Sequence, residues 1–150
     1  MTFGYTMDTF DLEFSLGYWS EEMDYTEPEA RYDWNEKYSK YSFGLAGLYH
    51  LKRNDTFGID GGLRFVLHNE KWEYEESDTR YEDTMELSGW SVGPVLRGRW
   101  FFADGSMAIG PEVFLKYTSR TWSQEWDSGD DELDLTTMGV EYAVRWDFMF

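Results

Sequence analysis

Residues 138–150 read Met138-Gly139-Val140-Glu141-Tyr142-Ala143-Val144-Arg145-Trp146-Asp147-Phe148-Met149-Phe150, alternating from one position to the next. Even positions carry Met138, Val140, Tyr142, Val144, Trp146, Phe148 and Phe150; odd positions carry Gly139, Glu141, Ala143, Arg145, Asp147 and Met149. Successive side chains of a β-strand point to opposite faces. One face of this strand is therefore apolar and ends in aromatics, and the other is small and charged with both signs. A half-buried soluble strand also alternates. An aromatic apolar face backed by mixed charges is the pattern of a membrane barrel, with lipid outside and a polar interior.

Five further spans repeat it. Phe10, Leu12, Phe14, Leu16 and Tyr18 share a parity, opposite Asp11, Glu13, Ser15 and Gly17. Tyr41, Phe43, Leu45, Gly47, Tyr49 and Leu51 lie opposite Lys40, Ser42, Gly44, Ala46, Leu48 and His50. Phe57, Ile59, Gly61, Leu63, Phe65 and Leu67 lie opposite Asp60, Arg64 and His68. Trp90, Val92, Pro94, Leu96 and Trp100 back onto Ser91, Arg97 and Arg99; Met107, Ile109, Pro111, Val113, Leu115 and Tyr117 back onto Glu112, Lys116 and Arg120. In all six spans the charges keep to one face. Glycine recurs inside them and the period is two, which excludes helix. Residues 1–7 read as a partial strand, followed either by a tight turn at Asp8-Thr9 or by a bulge in one long strand. Pro94 and Pro111 cannot donate ladder hydrogen bonds, and bulges are expected there.

The 150 residues suffice for one domain. Mean hydropathy is low at −0.64 although aromatics reach 20%. No apolar run approaches the roughly 18 residues of a membrane helix; a β-barrel reconciles the two figures, since half of each strand faces a polar interior. With no cysteine, disulfides and thiolate metal sites are excluded. The beginning, Met-Thr-Phe-Gly-Tyr, lacks the basic and apolar regions of a signal peptide, so export implies one already removed. The net charge of −17 is concentrated in three segments: −5 over 21–37, −6 over 69–86 and −6 over 123–134, the rest being neutral. These read as long acidic loops alternating with the short turns 52–55 and 103–106, and in the second Trp72, Tyr74 and Tyr81 suggest that the strands continue as a hairpin arm. Such an acidic chain excludes nucleic acid as a partner.

The chain resembles the small outer-membrane β-barrels of Gram-negative bacteria, the OmpX and OmpA-like class. The residues that carry the resemblance are the terminal Phe150, the alternating Tyr142, Trp146 and Phe148, and Gly139 upstream. The resemblance implies that this aromatic strand is the assembly signal read by the barrel-assembly machinery. It also implies an outer-membrane location, lipid and lipopolysaccharide as surroundings, and eight strands. Six full strands and a partial one can be read here, and a six-stranded barrel would have almost no interior. The expected fold is an all-β, antiparallel up-and-down transmembrane β-barrel of the eight-stranded class, one domain over 1–150.

The expected interior charge network is Asp11, Glu13, Lys40, Asp60, Arg64, Arg97, Arg99, Glu112, Lys116, Arg120, Glu141, Arg145 and Asp147. Near-equal signs suit ion pairing that fills and stiffens a narrow interior; an ion path or gate is the functional alternative. Tyr18, Trp19, Tyr38, Tyr41, Trp90, Trp100, Tyr117, Trp146 and Phe148 are placed for aromatic girdles. His50 and His68 share the charged face, and Ser91 and Glu70 are nominal partners for a hydrolase acting on lipid. Asp127 to Glu132 is dense in hard oxygen ligands but lacks the spacing of a calcium loop. The expectation is a non-enzymatic protein without metal or cofactor that presents acidic, aromatic-bearing loops outside the cell in a structural, adhesive or partner-binding role, with an extracellular protein as a candidate partner. The competing reading is a soluble, lipocalin-like barrel with its apolar face turned inward around a small molecule.

Overall fold

The computed structural model describes residues 2–26, 33–76, 81–103, 105–126 and 129–148. These residues form seven β-strands and no helix: β1 (Thr2–Thr6), β2 (Phe10–Thr26), β3 (Asp33–Arg53), β4 (Phe57–Glu76), β5 (Tyr81–Phe102), β6 (Met107–Trp126) and β7 (Gly129–Phe148). They make one antiparallel up-and-down sheet in the order β1-β2-β3-β4-β5-β6-β7. Phe150 and Met149 lie outside the described residues, as do Asp104, Asp127 and Ser128.

At one end the strands are joined by short turns. Met7 N–H donates to Phe10 O at 2.8 Å, closing a hairpin between β1 and β2 and excluding a bulged single strand. Between β3 and β4, Asn54 Oδ1 accepts from Thr56 N at 2.9 Å and Phe57 N at 2.7 Å, the side-chain turn that asparagine favours. Between β5 and β6 the backbone takes positive φ at Ala103 (51°) and Gly105 (84°).

At the other end the acidic segments are strand rather than loop over their described residues. The β2–β3 ladder runs to Thr26↔Asp33, β4–β5 to Glu76↔Tyr81 and β6–β7 to Trp126↔Gly129. Each hairpin thus extends eight or nine residues beyond the apolar spans, an arm of about 26–30 Å at roughly 3.3 Å per residue.

No bulge forms at either proline. Register between β5 and β6 is the same on both sides of the positions where pairing lapses, around Gly93-Pro94 and Gly98-Arg99. The ladder skips these rungs and then resumes. The one register shift in the described ladders falls between His50 and Lys52. It turns Arg53 toward the charged face, where its guanidinium carbon lies 5.0 Å from the Phe101 ring centroid.

The sheet is strongly curled around the charged face. Glycines permit the curl: a Cβ on Gly62 would overlap Gly47 O, and one on Gly93 would overlap Leu115 O. The buried apolar residues are few, with Leu48, Val95 and Phe114 forming a small cluster on the concave side. The large apolar residues lie outside: Leu63 is 64% exposed, Tyr142 76% and Met138 86%. No pairing joins β1 to β7 among the described residues. Thr2–Thr6 and Arg145–Asp147 instead border a common opening of about 720 Å³.

Candidate functional site

The concave face gathers side chains in three tiers. Nearest the short turns, Asp11 (β2), His50 (β3), Asp60 (β4) and Arg99 (β5) converge. His50 Nδ1 lies 2.7 Å from Asp60 Oδ1, and Arg99 reaches Asp60 through Nε at 2.6 Å and Asp11 through Nη2 at 2.9 Å. Phe101 lies beneath, 5.7 Å from the Arg99 guanidinium carbon. One ligand atom from each of Asp11, His50 and Asp60 falls within 4.8 Å of the others, close enough for a metal ion. Arg99 already supplies the cation: it forms ion pairs with both carboxylates, although its Nε, Asp60 Oδ2 and Asp11 Oδ1 make no hydrogen bond among the described residues, and its Nη2 is 3.2 Å from His50 Nδ1. A metal would have to displace it.

The middle tier joins five strands. Arg97 donates through Nε to Glu112 Oε2 at 2.9 Å and through Nη2 to Glu13 Oε2 at 2.8 Å. Arg64 binds Glu112 with both terminal nitrogens, at 2.6 and 2.8 Å. Arg145 lies 3.5 Å from Glu112 and 3.7 Å from Glu13, and Asp147 is 3.9 Å from Arg97. Three cations face three anions. Arg97 is 1% exposed, so its charge depends wholly on these partners.

In the third tier, toward the arms, Lys40 donates to Glu70 at 2.8 Å and the Tyr38 hydroxyl donates to the same carboxylate at 3.3 Å. Burial alone would raise the Glu70 pKa; the Lys40 hydrogen bond and the charges of Lys40 and Arg120 outweigh it and hold the carboxyl low. The Tyr38 phenol is pushed up by burial and by the Glu70 charge. Lys116 donates to Glu141 at 2.8 Å. All thirteen residues of the expected network thus make ion pairs. His50 and Glu70 complete two of the tiers. Glu70 carries on the parity of Arg64, Val66 and His68, a continuation hidden by its place in an acidic segment.

His68 Nε2 does meet Ser91 Oγ, at 2.8 Å, and Ser91 Oγ is 2.8 Å from Thr118 Oγ1. Ser91 is 0% exposed, closed to any substrate. Among the described residues no carboxylate hydrogen-bonds His68 to orient it. The chain of hydroxyls satisfies buried polar groups and lacks the orienting group and open face of a nucleophilic site. Of the acidic run 127–132, Asp131 and Glu132 are neighbours on β7, on opposite faces, and do not converge on one ion.

On the convex side Tyr18 and Tyr41 pair at 5.0 Å and Trp90 and Tyr117 at 5.7 Å, toward the arms. Toward the turns Trp100 meets Phe57 at 5.4 Å and Trp146 meets Phe102 at 6.3 Å. Trp19 and Tyr38 leave this set. Trp19 has the parity of Glu13 and pairs in register with Lys40, and Tyr38 packs 5.1 Å from Trp72 on the concave side. Of the expected assembly signal, Tyr142 and Trp146 are exposed on the convex face. Gly139 pairs with Lys116, and Phe148 ends β7.

No family model, curated protein or solved structure matches this chain.

Proposed function

We propose that this chain is a non-enzymatic outer-membrane β-barrel that presents acidic, aromatic-bearing hairpin arms to an extracellular protein partner. The observation carrying this reading is the segregation of the two faces. The convex side offers apolar side chains to the surroundings, while Arg97, Asp60 and Glu112 are buried on the concave side. A soluble barrel around an apolar ligand needs the reverse arrangement.

The dimensions agree. The outward apolar runs, Phe10–Tyr18, Tyr41–Leu51, Phe57–Leu67, Trp90–Trp100, Met107–Tyr117 and Met138–Trp146, each cover about 9–11 residues, the length of a membrane-crossing strand. Aromatic pairs lie at both ends of this belt, where girdles sit in membrane barrels. Lipid and lipopolysaccharide are the surroundings it fits, and β7 is the strand offered to the barrel-assembly machinery. A bilayer tolerates no unpaired strand edge. β1 and β7 run in the same direction, so one oppositely directed strand between them makes an all-antiparallel circuit of eight.

The test is expression with a signal peptide, membrane fractionation, and gel mobility with and without boiling. Recovery in the outer membrane with a heat-dependent shift supports the proposal. A folded monomer in the soluble fraction without detergent overturns it.

A further inference from the structure

We propose that the arm-side tier of the interior is a binding site for a phosphate-type oxyanion, with Arg120 as its principal ligand. The argument is one of local charge. The middle tier is balanced, three against three, whereas in the arm-side tier Lys40, Lys116 and Arg120 face, among the described residues, Glu70 and Glu141. Lys40 takes Glu70 at 2.8 Å and Lys116 takes Glu141 at 2.8 Å. Arg120 is left 3.8 Å from the Glu70 oxygen that Lys40 already holds. Its Nε is buried and has no hydrogen-bond partner among the described residues. A guanidinium with unused donors is a strong recognition element for phosphate.

Arg120 borders a cavity of about 420 Å³, a size suited to a small ligand. Five of its lining side chains are lysine or arginine and two are acidic. Arg64 and Arg145 are matched by Glu112 and Glu13, and Glu70 lies against Lys40 and Arg120, so the excess is one cation, Arg120, in a chain of net charge −17. Ser15 and Ser42 add hydroxyl donors, and Val66 and Phe114 give it an apolar wall. Glu141 and Ala143 line the same cavity from β7, and the cavity opens between the arms. The arm route is acidic: Glu22, Glu73, Glu75 and Asp83 border the cleft there and disfavour an incoming anion.

The experiment is titration of the folded full chain in zwitterionic detergent with inorganic phosphate, read by calorimetry and by the side-chain Nε resonance of Arg120. Saturable binding that shifts this resonance is expected. Arg120→Gln should weaken it by about tenfold, the loss of one charge-assisted contact. Lys52→Gln, an equal change of charge at the turn end, should leave it unchanged. Absence of saturable binding to wild type, equal weakening by both substitutions, or saturation without a shift of Arg120 would each overturn the proposal. The wild-type resonance serves where Arg120→Gln fails to fold. Two further arms, in bilayers of phosphatidylcholine with or without phosphatidic acid, identify the source. Displacement of inorganic phosphate only when phosphatidic acid is present supports the site with a lipid phosphate as its occupant. Undiminished binding in both supports it with a free anion.

Discussion

Arg97 on β5 and Glu13 on β2 stand 84 positions apart and are bound through Nη2–Oε2 at 2.8 Å, with Arg97 Nη1 on the other carboxylate oxygen. Two strands intervene between β2 and β5, so the pair spans the hollow of the curled sheet. Glu112, bound from the other side by Arg97 and Arg64, makes the bridge continuous from β2 to β6.

Removing the centre of that bridge should be costly. Arg97→Gln leaves Glu13 buried without its main counter-charge and Glu112 with Arg64 as its principal partner, and breaking a buried pair from one side costs about 3–5 kcal/mol. Urea unfolding of Arg97→Gln and Arg97→Gln/Glu13→Gln in the same detergent checks this. The double variant is expected to recover part of the loss; a single variant as stable as wild type would remove the bridge from the account.

The convex face makes the opposite kind of prediction. Leu63 is 64% exposed in the middle of the apolar belt. In a bilayer, Leu63→Arg should cost roughly 2–4 kcal/mol, the penalty for arginine on a lipid-facing position. On the surface of a soluble protein the same change would be close to neutral. Unfolding measured in liposomes gives the sign.

The alternation of the six apolar spans was enough to read the strands, because each span has one charged face on the concave side and one apolar face that is exposed. That contrast ends at the arms, where both faces are polar. The paired strand of Met23↔Glu36 therefore reads as acidic loop, and only the aromatics Trp72, Tyr74 and Tyr81 hint at the arm over 69–86, so Glu70 is lost from the charged set. Trp19 and Tyr38 were misplaced by composition, since aromatics near a span's end suggest a girdle whichever way they point. Which acid meets which base lay beyond reach: Arg97 finds Glu13 only through the curl of the sheet, a property of glycine contacts such as Gly62 on Gly47. The prolines break single rungs and leave the register intact, so no residue had to be inserted.

Glu70 gives a pH prediction. Its folded carboxyl is held below the ordinary range, so the unfolded chain binds more protons in mild acid. The stabilisation is complete above the unfolded glutamate pKa, about 4.3, and is lost as pH falls through the lowered folded value. Lys40 is partly exposed, so the pair contributes about 1 kcal/mol or less. Glu70→Gln should therefore flatten the stability profile below about pH 4.5 and lower the plateau slightly above it. Unfolding midpoints through that range check both, and an unchanged slope would contradict the assigned pairing.

His68 and Ser91 should behave as structural partners. Ser91→Ala and His68→Ala are expected to lower stability by about 1 kcal/mol each, the worth of one hydrogen bond. Neither should alter ester hydrolysis, because the wild type is expected to show none above buffer. A serine-dependent rate with a short-chain ester would reverse that conclusion.

The most direct test of the lipid-facing belt is tryptophan quenching by brominated phospholipids. Single-tryptophan chains retaining Trp100, exposed in the turn-side girdle, or Trp72, on the concave side of an arm, are reconstituted into bilayers with bromine at known acyl depths. Strong, depth-dependent quenching of Trp100 with little of Trp72 is predicted. Equal, weak quenching of both, with the chain recovered outside the vesicles, would contradict the membrane account.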